Sequence, residues 1–208
     1  MGNKMKRRIS ALFCFMLFSI LHGQEGPIIR AEVILPATRF PADLKHECFF
    51  NFKGIQISNY YEMEAAKSLN INNDGKEDFL VLLVPKSIIP PLDDEFDFDC
   101  NKYYKRVIVE VVSCGENYKI GSRYNSLVSN RAGLGIGFDG IDVVGDDVII
   151  CHSKPNGNLY WELKMWYHYI AGKLFFYRLD YEGNDNKTVT TVFEDIVAEN
   201  ISISDFLP

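Results

Sequence analysis

The sequence predicts a mainly β protein: an antiparallel sheet or sandwich of about eight to ten strands, forming a single domain behind an N-terminal signal segment. Three observations predict it. Apolar and polar residues alternate with a period of two, most clearly over Phe50–Ile57 and Leu159–Ile170. Short glycine turns separate the runs, at Cys114-Gly115, Gly145-Asp146-Asp147 and Ala171-Gly172-Lys173. No segment sustains a helical apolar period beyond about three turns.

Composition narrows the class further. The chain has 208 residues, 47% hydrophobic and 24% charged, with 15 Phe and 11 Tyr. That balance excludes a disordered chain, and the lack of a short repeat excludes collagen-like and coiled-coil architectures. The net charge is −6 and no basic stripe occurs, which excludes the electrostatic footprint of a nucleic-acid binder.

Residues 1–24 read as an export signal. Lys4, Lys6, Arg7 and Arg8 precede the apolar run Ile9–Leu21. That run is shorter than the roughly 20 residues a membrane span needs, and it suits a signal core. Cleavage near Gly23 or Gln24 would remove four basic residues and no acid, leaving 18 Lys and Arg against 28 Asp and Glu, a net charge of −10. The expected location is periplasmic or extracellular, with no membrane span after signal removal. Four cysteines then remain: Cys48, Cys100, Cys114 and Cys151. They allow three disulfide connectivities, of which Cys100–Cys114 across a hairpin is the simplest, and they lack the spacing of a zinc site.

Residues 25–45 form a proline-containing, extended lead-in, and residues 46–208 form the domain. Phe50–Ile57 is its first clear strand. Tyr60–Ser68 fits either a short helix or a strand. Phe79–Val84 is a continuous apolar run, the mark of a strand buried on both faces. Ser87–Asn101 is an acidic, proline-containing loop. Lys105–Val112 and Glu116–Gly121 are strands about the turn at Gly115. Ser122–Gly140 is a glycine-rich connection; a strand follows it where a dinucleotide fingerprint would need a helix. Strands are expected at Ile141–Val144, Val148–His152, Leu159–Ile170, Leu174–Tyr181 and Thr188–Phe193. The glycine turn between the two aromatic runs is a strong hairpin signal.

One segment carries recognisable chemistry. Asn70-Ile71-Asn72-Asn73-Asp74-Gly75-Lys76-Glu77-Asp78 places side-chain oxygens at alternate positions, with Gly75 at the sharp turn. Calcium takes six to eight oxygens at about 2.3–2.6 Å, and such a loop supplies them from alternate residues. The candidate ligands are Asn70, Asn72, Asp74, the Lys76 carbonyl and Asp78. Only two of them bring charge, so the expected affinity is weak. The competing expectation is an Asx-rich turn without a metal. An EF-hand is excluded, because a strand follows and the twelfth position is Val81.

This pattern, with Asn72, Asp74, Gly75, Asp78 and the apolar strand Phe79–Val84, resembles the calcium loop of FG-GAP and VCBS-type β repeats. Asn70 departs from their usual leading Asp. Those repeats build propellers from several copies, and this chain has one. Over residues 65–182 the chain resembles small, exported, uncharacterised bacterial β-proteins with a single such loop. The shared order is loop, apolar strand, Arg106–Val109, Phe138-Asp139-Gly140-Ile141, and an aromatic hairpin spanning Trp161 to Tyr177. The resemblance implies a shared fold and brings no activity with it.

No catalytic set is selected. Cys151 and His152 are sequence neighbours and so face opposite sides of a strand. His46 lacks a second ligand at a useful spacing, and no nucleophile elbow occurs. The aromatic hairpin is the better functional signal. Trp161, Trp166, His168 and Tyr177 are the candidate partner-binding residues, since part of such a hairpin must face outward. The sequence therefore points to an exported, non-catalytic binding module with a structural calcium loop. A protein partner is favoured, as for a periplasmic immunity protein or inhibitor; a glycan-binding module and a secreted hydrolase are the alternatives.

Overall fold

The computed structural model describes residues 26–31, 47–86, 105–128, 137–156, 159–183, 187–203 and 206. The signal segment, most of the lead-in, His46 and Cys100 lie outside the described residues. The described chain is mainly β, with twelve strands and one 3-10 turn, Ala198–Asn200. The strands are β1 (Ile28–Ile29), β2 (Phe49–Phe52), β3 (Ile55–Ser58), β4 (Tyr61–Leu69), β5 (Asp78–Pro85), β6 (Val107–Cys114), β7 (Asn117–Tyr124), β8 (Gly137–Val144), β9 (Asp147–Asn156), β10 (Leu159–Ile170), β11 (Lys173–Glu182) and β12 (Thr188–Val197).

They form three sheets. One has the order β1-β3-β2, the second β4-β5-β6-β7, and the third β12-β11-β10-β9-β8. All pairings are antiparallel except β1 with β3. Two cores define the layering. Leu80, Leu82 and Ile108 of the four-stranded sheet meet Ile150, Leu163, Met165 and Phe176 of the five-stranded sheet. On its other face, Val81, Leu83, Val107 and Val109 meet Ile29, Ile55 and Ile57 of the small sheet. The four-stranded sheet is therefore the middle layer, and all eight residues of β5 are buried. This explains the unbroken apolar run at Phe79–Val84: a strand covered on both faces has no polar side to alternate with.

Three features refine the sequence expectations. The run Phe50–Ile57 is not one strand but the hairpin β2–β3, turning at Lys53-Gly54 with positive φ of 53° and 82°. Both values suit the tight turn that joins twisted strands, but a lysine gives no sequence warning of it. Tyr60–Ser68 resolves as strand β4, with an irregularity between Met63 and Ala65. The aromatic hairpin is β10–β11, turning at Ala171-Gly172 with φ of 51° and 76°. Among the described residues, Cys48, Cys114 and Cys151 are free thiols, and no helix is long and apolar enough to cross a membrane.

Candidate functional site: the Asx loop and the outer sheet face

The Asx loop joins β4 to β5. Asp78, the first residue of β5, is fully buried. Its Oδ2 accepts the N–H groups of Ile71 (2.7 Å) and Asn72 (3.3 Å), and its Oδ1 accepts the N–H of Ser113 in β6 (2.7 Å). Asp74 Oδ1 accepts the Lys76 N–H at 2.8 Å; its Oδ2 accepts the Ser113 hydroxyl and the Asn72 amide, both at 3.1 Å. The Lys76 hydrogen bond leads the interactions that hold the Asp74 carboxyl below its usual range. Asn72 Oδ1 in turn accepts the Asp74 N–H, and Lys76 Nζ reaches the Gly115 carbonyl at 2.7 Å. Positive φ at Asn73 (58°) and Gly75 (77°) lets the chain turn tightly enough to make these bonds.

Both carboxylates of the expected ligand set thus meet at Ser113, and each of their oxygens already accepts a donor. Asn70, with Asn72, Asn73, Asp146 and Tyr169, lines a cleft of about 570 Å³ between the loop and the β8–β9 and β10–β11 turns. Among the described residues, no group of three or more His, Cys, Asp or Glu is placed to hold a metal ion.

The aromatic candidates divide by strand parity. Trp161 is not a surface residue: it is 5% exposed and belongs to the core with Leu163, Met165 and Tyr167. Trp161 and Trp166 are an odd number of positions apart, so a regular strand puts them on opposite faces. Trp166, His168 and Tyr177 are half-buried and come together on the outer face of the five-stranded sheet.

A β-bulge assembles this face. Tyr167 pairs with Phe176 and Trp166 with Arg178, leaving Tyr177 as the extra residue of β11. Opposite it, β12 also breaks register, since Phe176 pairs with Ile196 and Arg178 with Val192. A bulge re-aims a side chain, and here Tyr177 and Arg178 both reach the outer face. The Tyr177 ring stacks on His168 at 4.6 Å between centroids, 11° from parallel. His168 Nε2 lies 3.1 Å from Asp195 Oδ1. The Arg178 guanidinium sits 4.6 Å over the Trp166 ring.

Asp180 locks the second pair. It accepts two bonds from Arg178 (2.7 and 2.9 Å), one from Trp166 Nε1 (2.8 Å) and one from the Thr190 hydroxyl (2.7 Å). Burial pushes the Asp180 carboxyl up, but the Arg178, Thr190 and Trp166 hydrogen bonds outweigh it and hold the group below its usual range. Arg178, Asp180, Thr190 and Asp195 were not legible as site residues, because cross-strand register and a bulge bring them together.

Cys151 and His152 are not brought together. Cys151 lies on the outer side and His152 on the inner side of β9, opposite Lys164 and Leu163 respectively. Burial, then Glu162, pushes the Cys151 thiol up to about 11, so it is not an activated nucleophile. No protein-family model, no curated protein and no solved structure matches the chain.

Proposed function

We propose that this protein is an exported, non-catalytic module that binds another protein through the outer face of its five-stranded sheet. One observation carries the reading: a pre-ordered row of half-exposed planar groups, Trp166 under Arg178 and His168 against Tyr177, stands on a rigid sheet. Aromatic and arginine side chains held in one geometry lose little entropy on binding, and they dominate protein interfaces. A sugar would need an open ring face to stack on. Here one face of Trp166 carries a guanidinium and one face of Tyr177 carries an imidazole, which favours a protein over a glycan. An immunity protein or inhibitor of a toxin or hydrolase is the concrete form of this reading.

The test compares capture by the wild-type protein with capture by Trp166→Ala and Tyr177→Ala. A protein retained by the wild type and lost from both variants supports the reading. A partner indifferent to both variants removes this face from consideration.

The Asx loop serves this module as a staple between β4, β5 and β6. Calcium, where bound, would be held by Asn70, Asn72, Asp74, the Lys76 carbonyl and Asp78, and would displace the Asn72 and Ser113 donors from Asp74. Thermal melts with millimolar calcium and with chelator decide between the two forms of the staple. A rise in midpoint that Asp74→Ala abolishes supports the metal. An unchanged midpoint leaves the hydrogen-bonded loop as the staple.

A further inference from the structure

Among the described residues, β12 stands last in the five-stranded sheet, beyond β11. In an antiparallel ladder, alternate residues of an edge strand turn their N–H and C=O groups outward, where another strand can take them. Proteins blunt such edges with charge, bulges or short strands. The other edges among the described residues are blunted in these ways. β1 and β2 have only two and four residues. β4 carries Glu62, Glu64 and Lys67, with an irregularity between Met63 and Ala65. β7 carries Lys119 and Arg123. β8 carries Asp139 and Asp142, and Asp142 is bound by Lys67 of β4.

The first half of β12 has none of these devices. Thr188-Val189-Thr190-Thr191-Val192 is uncharged, β-branched and exposed at every position. It pairs regularly with β11, from Thr188 opposite Glu182 to Val192 opposite Arg178. Val189 and Val192 are 60% and 72% exposed, the most exposed large apolar side chains among the described residues. They are an odd number of positions apart and so lie on opposite faces. No partner on one face covers both; what they share is the edge.

The segment also complements itself. Two copies running antiparallel about a two-fold axis at Thr190 set Thr190 opposite Thr190, Val189 opposite Thr191 and Thr188 opposite Val192. Each is a pair of β-branched residues, and no like charges meet. At either end, Lys187 of one copy comes to the Phe193-Glu194-Asp195 segment of the other, which is opposite in sign.

We propose that a second copy of this chain pairs with β12, edge to edge and antiparallel, joining the two five-stranded sheets into one continuous sheet. Pairing in the plane of the sheet leaves the Trp166 face open, so the dimer stands apart from whatever binds there. Five residues make a small contact, so the expected dissociation constant lies between about 10 µM and 1 mM.

Sedimentation equilibrium of the mature protein across that range tests this, with amide exchange followed by NMR at its two ends. The expected result is a mass that rises toward twice the monomer's, with exchange at Thr188–Val192 slowed only in the concentrated sample. Val189→Lys/Val192→Lys places like charges around the axis. Both side chains are exposed, so the variant keeps the fold, which a thermal melt verifies. It should weaken the dimer about tenfold or more. Val144→Lys, at an exposed valine on the opposite edge strand β8, should leave it unchanged. A monomer at the highest concentration, or a dimer equally strong in the double variant, would overturn the proposal. Equal weakening by Val144→Lys would do the same, since the effect would then be one of net charge. Protection of Thr188–Val192 that appears only when another protein is added would give the edge to a foreign strand and overturn self-pairing.

Discussion

Asp78 is the residue on which the Asx loop turns. It is buried, and its two oxygens hold backbone N–H groups from two adjacent loop residues and from β6. Replacing it with Ala leaves three donors unpaired, two of them buried, and each buried unmade bond costs roughly 1–3 kcal/mol before water relieves part of it. Asp78→Ala is expected to lose about 3 kcal/mol or more in urea unfolding, with chelator present throughout. A loss below about 1 kcal/mol would sink this account of the loop. Glu110 of β6 is the second such residue. It is 3% exposed and accepts the hydroxyls of Tyr124 (2.6 Å) and Tyr169 (2.9 Å) and the N–H of Ser122 (2.8 Å). Tyr169 belongs to the opposite sheet, so Glu110 ties the two layers together. A Cβ on Gly121 would stand 2.5 Å from Glu110 Oε2, so that position has room only for glycine. Glu110→Ala is expected to cost about 3 kcal/mol and Tyr169→Phe about 1 kcal/mol, with a double-mutant cycle showing that they couple. The sequence marks both acids, one as a motif position and one as a charge inside the apolar run of β6. It does not show their work, because the deciding partners lie 35 and 59 residues away.

At the scale of the element, the β10–β11 hairpin shows what a period of two can and cannot reveal. Alternation and the glycine turn place both strands within a residue or two of their observed limits. The same alternation sets Trp161 and Trp166 on opposite faces without saying which face is the core, so Trp161 reads from sequence as a surface candidate although it is buried. The bulge at Tyr177 is not legible, since nothing in Phe175–Arg178 distinguishes a bulged strand from a regular one. Yet the bulge decides which side chains share the outer face. Deleting Tyr177 removes the extra residue, so Phe176 and Arg178 would alternate regularly against Tyr167 and Trp166 and Arg178–Glu182 would stay in phase with β10. The deletion loses the His168 stack but not the register on β10, so it is expected to unfold cooperatively within about 2 kcal/mol of Tyr177→Ala, read in denaturant. Loss of cooperative unfolding in the deletion alone would show that the pairing with β12 depends on the extra residue. The β2–β3 hairpin teaches the same lesson in reverse: Lys53-Gly54 turns without announcing it, and one predicted strand becomes two.

For the whole molecule, three layers mean that any charge in the sandwich interior needs partners, as Glu110 has, and His152 is the place where a charge would lack them. The residue is fully buried on the inner side of β9, edge-on to Phe138 at 5.5 Å between centroids, and neither ring nitrogen has a hydrogen-bond partner among the described residues. Burial first, and then the positive charge of Arg106, lowers its pKa from 6.5 to about 4. The sign follows from linkage. Between about pH 6.5 and 4 the unfolded chain binds a proton at this residue that the folded chain refuses, so stability falls as pH falls through that window. The difference amounts to about 3 kcal/mol at its limit. Asp74 and Asp180, whose carboxyls are held low, lose their contribution only at more acid pH, below the ordinary carboxylate range. Unfolding midpoints in denaturant should therefore drop between pH 7 and pH 4.5. His152→Leu, which fills the same apolar space and cannot take a proton, should flatten that drop and leave the protein more stable than wild type at pH 4.5. Every other residue is the same in both proteins, so the difference between the two curves isolates His152. Parallel curves would mean that the imidazole finds a proton partner inside the sandwich, and that the interior tolerates charge at the β8–β9 end.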